Sequence, residues 1–162
     1  MNDTEIIAYS PDWEARLRAL TRAAWAPAMA GMRQDYPGFV WQAFYPEGWE
    51  ARLDTDILAF VAREDATVWI ARRGEDLLGF AGILLHPEDR MGEVHVLAVA
   101  PAAQRSGLAR RLMARAEAGI AGAGMEMVMV ETGGDRGHAP ARAFYQAAGY
   151  VQAPVARYFK PL

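Results

Sequence analysis

The stretch VHVLAVAPAAQRSGLARRLM, from Val94 to Met113, restricts the possible folds of this chain more than any other segment. An apolar strand runs into a loop, and the loop runs into a helix in which Leu108 and Leu112 recur at helical spacing. Gly107 allows the backbone to turn sharply and to approach a ligand closely. Because the first N–H groups of a helix have no partner within the helix, this junction suits a phosphate or pyrophosphate.

The charge pattern agrees with an anionic ligand at this junction. Residues 101–115 contain four arginines and no acid, although the whole chain has 17 basic and 20 acidic side chains. The loop lacks the Gly-Lys-Ser/Thr of a Walker loop and the three glycines of a dinucleotide fingerprint. The net charge of −3 argues against a general nucleic-acid-binding protein, and the lack of cysteine excludes disulfides and thiolate metal sites.

Apolar periodicity in the rest of the chain predicts strands and helices around one sheet. Strands are predicted at 6–9, 67–71, 77–85, 93–99, 127–132 and 151–160. Helices are predicted from Ser10, around 53–61, from Leu108 through Ile120 with an end at Gly122 and Gly124, and at 139–148. Pro27 is expected to limit the first helix, and residues 31–48 are expected to be irregular. The order predicts a single domain over residues 1–162, of α/β or α+β class, with helices flanking a mixed, mostly antiparallel central sheet.

Three motifs resemble those of one enzyme family. The loop from Gln104 to Ala109 resembles the Q/R-x-x-G-x-G/A acyl-CoA pyrophosphate loop of the GNAT superfamily of N-acetyltransferases. The preceding strand Glu93–Val99 resembles the strand that leads into that loop, and Ala141–Tyr150 resembles the family's A-x-x-F-Y-x-x-x-G-F/Y helix. The resemblance implies an acyl-CoA-binding core at 93–150, whereas residues 25–60 carry no signature and are assigned to a variable acceptor side.

The resemblance also implies where acetyl-CoA would bind. The strands Glu93–Val99 and Met127–Thr132 are expected to splay apart after a bulge, with the pantetheine arm in the gap and the pyrophosphate on the loop backbone. His138 stands where the family often has an asparagine that helps to hold the cofactor. No metal is expected. The expected cofactor-binding residues are Leu97, Val99, Gln104, Arg105, Ser106, Gly107, Leu108, Ala109, Arg110 and His138.

Three residues are candidates for acid–base chemistry. Glu93 and His95 are two apart on a strand, so they are expected to share one face with Leu97 and Val99. Either could remove a proton from an amine, and the alternative is that both only cap an exposed strand end. By resemblance, Tyr145 is the general acid that protonates the CoA thiolate; the alternative is a packed core tyrosine.

The expected activity is N-acetyl transfer from acetyl-CoA to a primary amine by direct attack, without a covalent enzyme intermediate. The alternative is a non-catalytic acyl-CoA-binding sensor or scaffold. The acceptor is a small molecule or a protein amine; the acidic residues Glu47, Glu50, Asp54 and Asp56 favour a cationic small molecule. The aromatic residues of 36–49 could line an acceptor pocket, form core or cover a dimer surface.

Two features bear on location and partners. The opening residues lack the basic and apolar regions of a signal peptide, and no apolar run approaches the ~20 residues of a membrane span. We therefore expect a cytoplasmic protein without membrane or nucleic-acid partners. A homodimer is one alternative for its oligomeric state.

Overall fold

The structure is a computed structural model that describes residues 4–162. Two compact units divide it: one comprises residues up to Ala24 with Leu53–Glu131, the other Trp25–Arg52 with Thr132–Leu162. The strands and helices are β1 (Glu5–Ala8), α1 (Glu14–Asp35), α2 (Gly38–Phe44), α3 (Trp49–Val61), β2 (Thr67–Arg73), β3 (Asp76–His86), β4 (Met91–Val99), α4 (Leu108–Gly122), β5 (Met127–Met129) and α5 (Ala139–Ala147).

The first unit contains the whole sheet, in the order β1-β2-β3-β4-β5. Neighbouring strands are antiparallel from β1 to β4, and β5 runs parallel to β4. A parallel pair needs a crossover connection, and α4 supplies it. The predicted fold class, a mixed and mostly antiparallel sheet flanked by helices, is confirmed.

Helices α3 and α4 cover opposite faces of this sheet. Gly82 of β3 lies under the Phe60 ring of α3, so close that a Cβ at Gly82 would come within 2.3 Å of the ring. The next residue, Ile83, faces Gly119 of α4. Because successive strand residues point to opposite faces, these contacts place the two helices on either side of β3.

A β-bulge interrupts the pairing of β3 with β4. Val94 pairs with Ile83 and Val96 pairs with Gly82, so His95 is an extra residue in β4. A bulge of this kind leaves one residue outside the ladder and changes the direction of the side chains around it.

The bulge reverses the alternation beyond His95. The His95 ring stacks on Phe60 of α3 with ring centroids 4.5 Å apart, whereas Leu97 and Val99 pack in a cluster with Leu108 of α4. The prediction that His95 shares a face with Leu97 and Val99 is therefore wrong, because one extra residue moves every later side chain to the other face.

Strands β4 and β5 pair only at their start. Met91–Glu93 pairs with Met127–Met129, whereas β4 continues to Val99. The predicted fifth strand, which ends at Thr132, is therefore too long, because β5 ends at Met129. Beyond Glu93, β5 no longer pairs with β4, so one edge of β4 is free. This arrangement agrees with the splayed strand pair that the resemblance implies.

Helix α1 includes Pro27, which was predicted to limit it, so that prediction is wrong. An internal proline removes one helix hydrogen bond and costs about 3 kcal/mol. Burial of Leu17 and Met29, on either side of the proline in the sequence, offsets that loss. Residues 31–48, predicted to be irregular, mostly extend α1 and form α2. Across residues 4–162, no helix combines the length and apolarity needed to cross a membrane.

The second unit contains the aromatic residues of 36–49. The Phe44 ring contacts the rings of Tyr45 and Phe159, and Phe159 also contacts Tyr36. Tyr36, Phe44 and Tyr45 are half-buried, whereas Phe39 is 40% exposed. These residues therefore form a partly exposed cluster rather than a closed core.

The predicted last strand at 151–160 is wrong, since residues 151–162 form neither helix nor strand. Pro154 has no N–H to donate to a sheet ladder. The side chains of Val151, Val155 and Tyr158 are exposed, so burial does not favour an ordered strand there.

The sequence pattern places Asp54 among the acidic residues that favour a cationic acceptor, but the structure shows that its carboxylate is buried and used internally. Arg18 and Arg22 of α1 both donate hydrogen bonds to it. The hydrogen bond from Arg22 lowers the pKa of Asp54, burial opposes this effect, and Arg18 lowers the pKa further. Asp54 therefore links α3 to α1 within the first unit.

We expect Asp54→Asn to lower the free energy of unfolding by about 1–2 kcal/mol at neutral pH, because two charge-assisted contacts weaken. The folded pKa of Asp54 is depressed, so its contribution is complete above the unfolded pKa of about 4 and is lost as the pH falls through the folded pKa. Urea unfolding at several pH values measures this. Glu75→Gln, in the exposed Arg16–Glu75 pair, is the control and should change stability little; equal effects of the two substitutions would contradict the assignment.

Candidate active site

The loop before α4 has the backbone geometry of an anion cradle. Gly107 is the N-cap residue of α4 with a φ of 84°, and Arg105 also has a left-handed φ of 60°. The first helical hydrogen bond runs from the N–H of Arg111 to the carbonyl of Gly107. The N–H groups between them, at the first turn of α4, therefore lack intrahelical partners and suit a phosphate.

Side chains within the loop hold this geometry. The Gln104 amide donates to the carbonyl of Val99 at 3.2 Å, and the Ser106 hydroxyl donates to the carbonyl of Ala103 at 2.6 Å. Leu108 is buried against the sheet. These predicted cofactor residues thus shape the loop through their side chains, while the outward-facing groups are main-chain N–H groups.

The free edge of β4 leads directly into this loop. The N–H of Ala100 donates to the carbonyl of Leu78 at 2.8 Å. Because hydrogen-bonded and non-hydrogen-bonded pairs alternate in an antiparallel ladder, the backbone groups of Leu97 and Val99 point away from β3. They face the side where β5 has diverged, which is where an extended ligand could add hydrogen bonds.

Three titratable side chains meet at the start of the splay. One carboxylate oxygen of Glu93 lies 2.7 Å from Nδ1 of His95, and the other lies 2.9 Å from Nε2 of His86. The Glu93 side chain is 18% exposed, whereas that of His95 is 44% exposed. The structure therefore brings the two predicted base candidates together and adds a third residue, His86.

The surroundings of Glu93 keep it ionised. Burial raises the pKa of the Glu93 carboxyl, but the hydrogen bonds from His86 and His95 outweigh burial, so the pKa is lowered overall. Arg63 contributes a further positive charge nearby. An ionised carboxylate with a lowered pKa is a weak base, so Glu93 is better suited to orient His95 than to remove a proton itself.

Tyr145 lies in the second unit, on α5. Its ring contacts those of Phe144 and Tyr150, with centroids 5.5 and 5.9 Å apart. Burial raises the pKa of the Tyr145 hydroxyl above its ordinary value. The hydroxyl therefore stays protonated at neutral pH, as a proton donor must.

His138, at the N-terminus of α5, is held by a buried acid. Its Nδ1 lies 2.7 Å from Oδ2 of Asp135, whose other oxygen accepts the N–H groups of Gly137 and His138. Arg142 braces the same turn by donating to the carbonyls of Gly133 and Asp135. Nε2 is therefore the ring nitrogen of His138 that does not contact Asp135.

Two of these residues were not identified from the sequence. Asp135 had a local signal, because aspartate is a common N-cap residue, and here it caps the 3₁₀ turn Arg136–His138 that leads into α5. His86 had none, because it reaches Glu93 only through the register that pairs β3 with β4. Within residues 4–162, no group of three or more His, Asp or Glu side chains is arranged to hold a metal ion.

Known proteins share parts of this sequence and most of its fold. A mycothiol acetyltransferase from Streptomyces bingchenggensis is 37% identical over 83 residues, which are 51% of this chain and 26% of that protein. The chain thus spans about a quarter of the length of this curated relative.

Two solved structures match over nearly the whole chain. The PaiA N-acetyltransferase of Thermoplasma acidophilum, in complex with coenzyme A, matches with a TM-score of 0.66 and 18% identity over 90% of this chain and 88% of that one. The ribosomal-protein-S18-alanine N-acetyltransferase of Escherichia coli matches with a TM-score of 0.69 and 18% identity over 99% and 85%. At such identities the likeness shows the fold alone.

The sequence itself identifies the family. A family model described as Acetyltransferase (GNAT) family matches residues 38–150, which is well over half of the chain. The match includes the splayed strand, the loop before α4 and helix α5. The resemblance read from the three motifs is thereby confirmed, and the chain belongs to the GNAT acetyltransferase family.

Proposed function

We propose that this protein transfers the acetyl group of acetyl-CoA to a primary amine of a small-molecule or protein acceptor by direct attack. The observation that carries the proposal is the placement of the His95–Glu93 pair at the start of the splay. From there the free edge of β4 runs into the anion cradle before α4. A candidate base, a free backbone edge and a candidate phosphate site thus follow one another along β4 and the loop after it.

Each part has a chemical role in this proposal. The acetyl-CoA thioester would supply the carbonyl carbon that the amine attacks. A C–N bond forms, the C–S bond breaks, and CoA leaves as a thiolate that takes up a proton. Main-chain N–H groups from Arg105 to Arg110 bind the pyrophosphate, and the backbone of Leu97 and Val99 binds the extended arm. His95 accepts the proton that the protonated amine must lose, and Glu93 stabilises the imidazolium that forms.

The residues present fit acetyl-CoA in the first unit. The backbone N–H groups at the start of α4 face outward, and a Cβ at Gly107 would meet no atom within 4 Å, so the cradle is open. The arginines Arg105 and Arg110 flank it, and both are exposed. His138 is a further candidate for holding the cofactor by the family resemblance alone, and its Nε2 is the ring nitrogen that does not contact Asp135.

The test is transfer itself. Purified protein is incubated with acetyl-CoA and, in turn, amino sugars, polyamines, amino acids and peptides with a free N-terminus. Release of CoA thiol that depends on the amine, together with an acceptor heavier by one acetyl group, is the expected result. Tight binding of acetyl-CoA by calorimetry without thiol release across the panel would favour the alternative, a non-catalytic sensor or scaffold.

Tyr145→Phe is expected to lower kcat modestly, by about 10-fold, because the CoA thiolate would lose the proton donor that the family resemblance assigns to Tyr145. The ring remains, so the melting temperature should change little. Steady-state kinetics and thermal unfolding measure both quantities. Tyr150→Phe is the control, since it removes a hydroxyl from a ring that contacts Tyr145; a Tyr145→Phe variant that is fully active but clearly less stable would show that Tyr145 is only a packing residue.

A further inference from the structure

His86 lies at the end of β3, away from every motif that identifies the family. It pairs with Met91, two residues before Glu93 on β4, while Leu84 pairs with Glu93 itself. Residues two apart on a strand share a face, so the side chains of His86 and Glu93 are diagonal neighbours on the α3 face. Their contact, Nε2 to Oε2 at 2.9 Å, follows from this register.

The hydrogen bonds of Glu93 define the state of both imidazoles. An ionised carboxylate accepts hydrogen bonds and cannot donate them. The ring nitrogens that face Glu93 must therefore carry hydrogen: Nε2 of His86 and Nδ1 of His95. A neutral His95 in this tautomer has its lone pair on Nε2, the nitrogen that a base needs for catalysis.

We propose that His86 is a positioning residue, which holds one oxygen of Glu93 so that the other oxygen fixes the orientation and tautomer of His95. This inference rests on the proposed function, because the role of His95 as base belongs to it.

The neighbouring groups explain why Glu93 needs a second contact. Arg63, which follows α3, attracts Glu93 electrostatically while pairing with Asp65. Without His86, the carboxylate could turn toward Arg63 or share both oxygens with one imidazole. Glu88 is also near His86, with 3.9 Å between Nδ1 and the carboxylate, and Phe60 stacks on one face of the His95 ring. The Phe60 ring restricts tilting of His95 but cannot select between its two tautomers.

The test compares His86→Leu with His86→Gln. Leucine removes the hydrogen bond, whereas the glutamine amide can still donate to Glu93. We expect His86→Leu to lower kcat about 10-fold with an unchanged KM for acetyl-CoA, because the base is misoriented while the cofactor site is intact. His86→Gln should restore most of the wild-type kcat.

A spectroscopic readout tests the inference without any acceptor. Nitrogen-15 NMR of the imidazoles at alkaline pH should show His86 as the Nε2–H tautomer and His95 as the Nδ1–H tautomer in the wild-type protein. In His86→Leu, the His95 signals should move toward a mixture of tautomers. Wild-type protein with His95 in the Nε2–H form would overturn the inference, even if no His86 variant folded.

The two proposals can fail separately. Unchanged His95 signals and unchanged kcat in His86→Leu, with only a loss of stability, would leave His86 as a packing residue and would not affect acetyl transfer. If the wild-type protein acetylates no amine but the tautomer shifts as expected, the proposed function fails and the positioning by His86 stands.

Discussion

Replacing Gly107 with valine is expected to abolish measurable binding of acetyl-CoA while the chain still folds. The side chain would project from the start of α4 into the space that the pyrophosphate needs. No protein atom lies within 4 Å of a Cβ at this position, so the first atom of the new side chain meets open space. Backbone strain at the left-handed φ of 84° costs about 1–2 kcal/mol, which a domain of ordinary stability survives.

Gly124→Val provides a matched control for this result. Gly124 follows the other end of α4, has a φ of 80° and is equally open around its Cβ. It should impose the same backbone strain at a distance from the cradle, so acetyl-CoA affinity should match the wild type. Calorimetric titration measures both variants. Undiminished affinity in Gly107→Val, or equal losses in the two, would refute the placement of the pyrophosphate.

Replacing His95 with glutamine is expected to lower kcat by about 10²–10⁴-fold, the usual loss when a positioned base is removed. Glu93→Gln should also lower turnover, because a neutral amide cannot stabilise an imidazolium. Acetyl-CoA affinity should barely change in either variant, since neither side chain belongs to the cradle. Part of the loss should be recovered at high pH, where the amine loses its proton without help.

The pH dependence of the wild-type rate adds a second criterion. Because the pKa of Glu93 is lowered, its carboxylate stays charged between about pH 6 and 9. A fall in rate on acidification within that range therefore reports another group. A large loss in Glu93→Gln with a normal rate in His95→Gln would instead identify Glu93 as the base. Wild-type rates in both variants across the pH range would show that neither Glu93 nor His95 is the base.

The sequence predicted the parts of the site whose structure depends only on residues close to them in the sequence. The strand, the loop and the helix from Glu93 to Gly122 follow from periodicity and one glycine, because each is determined within a few residues. Tyr145 and His138 were placed correctly on and beside a short helix that ends before Gly149, whose φ of 92° terminates it. Their catalytic roles remain predictions.

The predictions of helices and strands were wrong where an element depends on contacts with a distant part of the chain. Pro27 carries a local signal for a helix end, but burial of apolar side chains before and after it outweighs the cost of one hydrogen bond. Residues 151–160 have strand-like composition, yet strands exist only when a partner strand accepts their hydrogen bonds. Such partners are not encoded in any short window of residues.

The sequence by itself determined the family, and it predicted the phosphate-binding loop and the two base candidates, because these signals lie in contiguous motifs. Only the tertiary structure decided which way β4 faces: the extra residue at His95 exists relative to β3, and it sends Leu97 to the face opposite His95. The same register brings His86 to Glu93. Register is a relation between two strands, so it depends on the packing of both and cannot be read from either one alone.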